Sequence, residues 1–150
     1  MNAQLLINSL KQQNNNLDDL IEVLEEEKFA IVQNDYTALE HVILKEQKVL
    51  KTVESEESNR IKIIKEIAGL YSLELSSPSV DNILEHGKSY FGNEASELKK
   101  LRNSIKVKLD KISQTNSHLK TVIEFSRNII KETVLMLVGP NKYKLVNKRV

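Results

Sequence analysis

Between residues 98 and 137 the chain places an apolar or small side chain at every third or fourth position, and neither Pro nor Gly interrupts it. The positions are Leu98, Leu101, Ile105, Leu109, Ile112, Asn116, Leu119, Ile123, Ser126, Ile130, Thr133 and Leu137. Steps of three and four put all of them on one stripe of an α-helix. At the helical rise, this stretch makes a rod of about 60 Å. Such a rod cannot bury its stripe against itself, so it needs a partner helix. The first half of the chain can supply that partner, and the expected fold is an all-α, antiparallel bundle of long helices with coiled-coil-like packing.

Composition agrees. Only 4 Gly and 2 Pro occur in 150 residues, 40% of the residues are apolar, and aromatic residues make up 5% with no Trp. Low Gly and Pro with abundant Leu, Ile, Lys and Glu describe a helical chain, and the length suits one domain over 1–150. No cysteine is present, which excludes disulfides and thiolate metal sites. The first residues lack a basic segment and a long apolar run, and no stretch approaches the length of a membrane span. The expectation is a soluble, cytoplasmic protein. Residues 1–70 hold 8 Lys/Arg and 13 Asp/Glu, whereas residues 71–150 hold 14 and 8. Two halves that pack on each other explain this split. Nucleic-acid binding is not expected, because the Lys residues alternate with acids and stacking aromatics are scarce.

Residues 3–70 read as one long helix, with a break left open at the polar tract 12–16 (Gln-Gln-Asn-Asn-Asn), a frayed turn or a capping region. From Leu17 to Ile67 apolar residues recur at helical spacing. Glu22, Glu25, Glu26 and Glu27 form an acidic, solvated face, while Glu27 and Asp35 fall on or beside the stripe. The stripe is almost empty over 54–60. Either the helix leaves the bundle there or Arg60 pairs with a carboxylate across it. After a helix end at 70–75, Ser77-Pro78 predicts a short helix over 79–86 with Gly87 at its C′ position. Tyr90 and Phe91 are expected to plug the bundle end. Asn93 can cap a last helix that starts near Glu94 and stops at Gly139-Pro140. The tail 141–150 carries four basic residues and no acid, and is expected to be flexible. Asn116, alone on an apolar seam, reads as a residue that sets register.

Chemistry-bearing patterns are missing. His41, His86 and His118 are scattered, and no phosphate-cradling glycine loop or nucleophile elbow occurs. No enzyme activity, metal or cofactor is expected, and function should lie in surface recognition between helices.

The stretch 20–39, LIEVLEEEKFAIVQNDYTAL, resembles the first helix of FlgN-type flagellar export chaperones. Residues 45–50, followed by Glu57 and Arg60, resemble its continuation. Asn116-Ser117-His118-Leu119 resembles the family's Asn-x-x-Leu region, and Val138-Gly139-Pro140-Asn141 its Gly-Pro helix end. Two features depart from the pattern: Val138 stands where relatives commonly place Tyr, and the tract at Asn14–Asn16 has no counterpart. The resemblance implies a cytoplasmic chaperone that holds the hook–filament junction proteins, FlgK and FlgL, by their C-terminal helices. It also implies delivery to the type III export gate and contact with the ATPase complex. Val122, Phe125 and Ile129 lie beside the main stripe, so the last helix is apolar over an arc wide enough for two partners. Leu119, Val122, Ile123, Phe125, Ile129, Ile130 and Leu137 are therefore the expected cargo-binding residues, and Tyr143 the expected docking residue for the gate. A third helix of the same chain or a homodimer mate would cover the arc equally well. Periodicity alone favours a structural coiled-coil scaffold, against which the break near 76–93 argues.

Overall fold

The computed structural model describes residues 2–138, with the side chains of Asn2, Val122, Ser126, Ile130 and Val138 excepted. Four helices follow in order: α1 (Asn2–Val32), α2 (Tyr36–Leu70), α3 (Val80–Phe91) and α4 (Glu94–Val138). α1 and α2 form an antiparallel hairpin. Its two arms are tied by Ser9 Oγ donating to Glu56 Oε1 at 2.6 Å, Gln13 Nε2 donating to the Val53 carbonyl at 3.3 Å, and Lys45 pairing with Glu26 at 3.2 Å. α4 starts at the open end of the hairpin and runs parallel to α1. Lys11 pairs with Glu97 at 2.7 Å and Lys108 with Asp18 at 2.8 Å, so the two helices advance in step.

The single helix expected over 3–70 is thus two helices, and the break falls at residues 33–35 rather than in the polar tract. α1 ends with the Asp35 amide donating to the Ala30 carbonyl and the Asn34 amide to Ile31, each close to 3 Å. Asn34 sits at φ 53, the left-handed conformation that this helix end demands and that Asn tolerates. Asp35 then caps α2, its carboxylate accepting from the Ala38 amide at 3.0 Å. It is an exposed cap and not a seam residue. Asp35→Ala is expected to cost about 1 kcal/mol, read as a lower urea midpoint at unchanged slope. α2 ends in the same way: the Leu73 amide donates to Ala68 and Ser72 takes φ 53.

The tract 12–16 lies inside α1 because its neighbours satisfy it. Gln13 and Asn16 are buried. Gln13 reaches α2, Asn16 donates to Gln13 Oε1 at 3.4 Å, and Asn14 accepts from Ser104 of α4 at 3.1 Å. No buried side-chain N or O lacks a partner among the described residues. Buried amides cost stability only when unpaired, so here they set how three helices face one another. Asn116, by contrast, is exposed, and Thr115 takes the buried place on that turn. Among the described residues Arg60 reaches no carboxylate on another helix. It pairs with Glu57, one turn back on α2.

The core has two centres. At the open end, Leu6, Ile7, Leu10, Ile64 and Ile67 pack with Leu98 of α4 and with Val80, Ile83 and Phe91 of α3. Nearer the hairpin turn, Leu17, Leu20 and Leu24 pack with Ile112 and Leu119. α3 extends to Phe91, beyond the expected 79–86. Ser79 caps it, and Pro78 stands before that cap rather than in the first turn. Gly87 is an interior, buried residue where the helix passes close to its neighbours: a Cβ there would lie 3.0 Å from Phe91 and 3.1 Å from Leu73. The helix stops instead at Gly92, φ 54. Phe91 plugs the bundle end as expected. Tyr90 is half exposed and stacks on Tyr71, with centroids 4.3 Å apart. α4 begins at Glu94 as expected. Gly139-Pro140 and the tail 141–150 lie outside the described residues.

Candidate functional site: the arm of α4

α4 is longer than the hairpin beside it. The pairs Lys11–Glu97 and Lys108–Asp18 place the end of α1 level with roughly residue 122. The last 16 or so residues of α4 therefore project past the turn by about 24 Å. Burial follows this geometry. Leu119 is 5% exposed and is the last core residue of α4 among the described side chains. Beyond it Phe125 is 65% exposed, Ile129 47%, Met136 80% and Leu137 76%.

At 100° per residue, Ile123, Phe125, Ile129, Met136 and Leu137 fall within an arc of about 160°. Thr133 lies in the same arc, and its hydroxyl donates to the Ile129 carbonyl at 2.8 Å. That back-bond turns the hydroxyl toward the helix and adds a methyl to the apolar face. Glu124, Arg127, Lys131 and Glu132 are exposed charged residues of the same segment. An apolar face this broad is unusual to leave uncovered on a helix and marks a contact surface.

Of the residues expected to bind cargo, Phe125, Ile129 and Leu137 stand together on the arm, and Ile123 lies at its root, partly exposed. Leu119 is placed differently. It belongs to the core against Leu20 and Leu24 and seats the arm on the hairpin. The side chains of Val122 and Ile130, and the whole of Tyr143, lie outside the described ones. Sequence reasoning passed over Met136, which interrupts the strict three-four count yet falls inside the arc.

The root of the arm has one perturbed group. Glu27 of α1 lines a shallow hollow with Glu46 of α2 and with Asn116, Leu119, Lys120 and Arg127 of α4. Burial first, and then the adjacent Glu46 carboxyl, push Glu27 up to about 7. The unfolded chain releases this proton near 4.5, the folded chain near 7. Between those values the folded state binds more protons, so this group's contribution to stability is present below 4.5 and is lost as pH rises through 7. Glu27→Gln is expected to raise the melting temperature at pH 8 and to leave it nearly unchanged at pH 4.5. A wild-type and variant difference that is equal at both values would contradict this origin.

Among the described residues no group of His, Asp or Glu is arranged to hold a metal, and no helix is long and apolar enough to cross a membrane. His41, His86 and His118 are all exposed. What remains is a helical bundle that presents an uncovered amphipathic helix, the architecture of a protein that grips other helices. The model of the FlgN protein family matches residues 1–144, and the chain belongs to that family of flagellar export chaperones. The family is one of chaperones, and membership implies binding of flagellar substrate proteins. No curated protein and no solved structure matches the chain.

Proposed function

We propose that this chain acts in the cytoplasm as a single helical chaperone unit. It holds the C-terminal helices of hook–filament junction proteins of the FlgK and FlgL type and delivers them to the type III export apparatus. The observation that carries this reading is the arm of α4, whose exposed Phe125, Ile129, Met136 and Leu137 pack against no helix among the described residues. A cargo tail that is apolar on one face would self-associate if left bare, and an arm of matching character shields it. Ile123, Phe125, Ile129 and Leu137, with Val122 and Ile130 of the same segment, form the cargo surface in this reading. Leu119 anchors it. Tyr143 and the basic tail serve contact with the export gate and the ATPase complex.

Titration calorimetry of the full-length protein against C-terminal peptides of the two junction proteins tests the reading. Micromolar or tighter binding is expected for at least one. A folded protein that binds neither, yet self-associates through the arm, would instead be a homo-oligomeric scaffold.

A further inference from the structure

The foot of the bundle shows how the valley between α2 and α4 accepts a helix. α1 packs on both α2 and α4, while α2 and α4 scarcely touch each other. α3 fills the valley between them at the open end, burying Val80, Ile83 and Phe91 against all three long helices. Directly beyond the first turn of α3 no described residue fills the valley. It opens as a cleft of about 550 Å³ with an apolar floor that includes Leu10, Leu17, Val53 and Ile105. Leu109 closes one side and is 50% exposed.

We propose that this cleft is a second cargo-binding site, which takes about two turns of an amphipathic helix from the same cargo tail. The inference rests on the chaperone reading above. Two observations support a helix as the occupant. First, the cleft continues the seat of α3 without a break, since Ser79, Val80 and Asp81 form its lower wall. It spans Leu10 to Leu17 on α1 and Arg102 to Leu109 on α4, or about 10 Å along each. Second, its rims differ in charge. Glu54 and Glu57 line the α2 side, where Arg60 is engaged by Glu57, while Arg102 and Lys106 line the α4 side, where Arg102 pairs with Asp81 at 2.8 Å. The fitting helix carries basic residues along the edge toward α2 and acidic residues along the edge toward α4, around a small apolar face. Leu109 and Ile123 are about 21 Å apart along α4, so one extended tail can engage the cleft and the arm together.

The test uses the full-length protein and a junction-protein C-terminal peptide long enough to span both places. The double variant Lys106→Glu, Leu109→Glu alters two exposed residues and is expected to weaken binding at least tenfold at an unchanged melting temperature. Because the chain has no cysteine, Leu109→Cys also carries a single environment-sensitive dye, whose emission is expected to shift blue when peptide is added. Peptide that binds the cleft variant as tightly as wild type, leaves the dye unmoved, yet is lost by arm variants overturns the cleft and leaves the chaperone reading standing. A dye that responds to protein concentration and not to peptide makes a second copy the occupant and overturns it too. Failure of the peptide to bind wild-type protein at all overturns the chaperone reading and the cleft with it.

Discussion

Replacing Phe125 and Ile129 together by glutamate is expected to lower affinity for a junction-protein C-terminal peptide by about 100-fold. Both side chains are exposed, and both belong to the apolar arc of α4. Buried aromatic and aliphatic anchors at an interface commonly lose about 1–2 kcal/mol or more each on truncation. A charge placed there adds the cost of burying an unpaired carboxylate. The free protein should scarcely notice. Glutamate is a good helix former, and neither residue packs in the core. An unchanged thermal melt beside a lost calorimetric signal is the expected pair of results. Equal affinity of variant and wild type would remove the arm as the cargo surface.

Ile64→Ala should do the opposite. Ile64 is fully buried where α2 meets α1 and α3, among Leu6, Ile7, Leu10 and Ile83. Removing its methyl and methylene groups loses their transfer free energy and leaves a cavity. The expected cost is about 2–5 kcal/mol, a large part of the roughly 5–15 kcal/mol typical of a domain. Urea unfolding followed by circular dichroism measures it. Leu137→Ala, at the far end of the arm, is the contrast: a shift within about 0.5 kcal/mol is expected. Comparable losses for the two would mean that the arm is packed in solution.

The two results separate because α4 serves two purposes along one continuous stripe. Up to Leu119 the stripe supplies Leu98, Ile112 and Leu119 to the core, although Leu109 and Asn116 within it are exposed. Beyond Leu119 the same spacing continues, but the hairpin has ended. Nothing local marks the change. Leu119 and Ile123 occupy equivalent stripe positions, and only the length of α1 decides that the first is core and the second begins a contact surface. This is why Leu119 reads as a binding residue in the sequence and as an anchor in the fold. The cleft beside α3 was equally hidden, because its walls come from four helices spread along the chain.

Other misreadings share that cause. The tract at 12–16 looks like a break because helix propensity there is modest, yet Val53 and Ser104 supply partners from other helices. The true break at 33–35 had a local signal: Asn34, able to adopt positive φ, followed by Asp35, able to cap. The apolar period masked it by continuing on both sides of the turn, since α1 and α2 face one core.

What the sequence determined alone was whatever depends on near neighbours: helix throughout, the start of α4 at Glu94, the cap-rich start of α3, and an amphipathic face over 98–137. These follow from spacing, propensity and capping, which act within a turn or two of helix. Only the tertiary structure decided where the first long stretch folds back, which amides are buried, and how far α4 outruns its support. Those depend on which distant groups meet, and a period of three and four is the same whether a partner lies beside the helix or not.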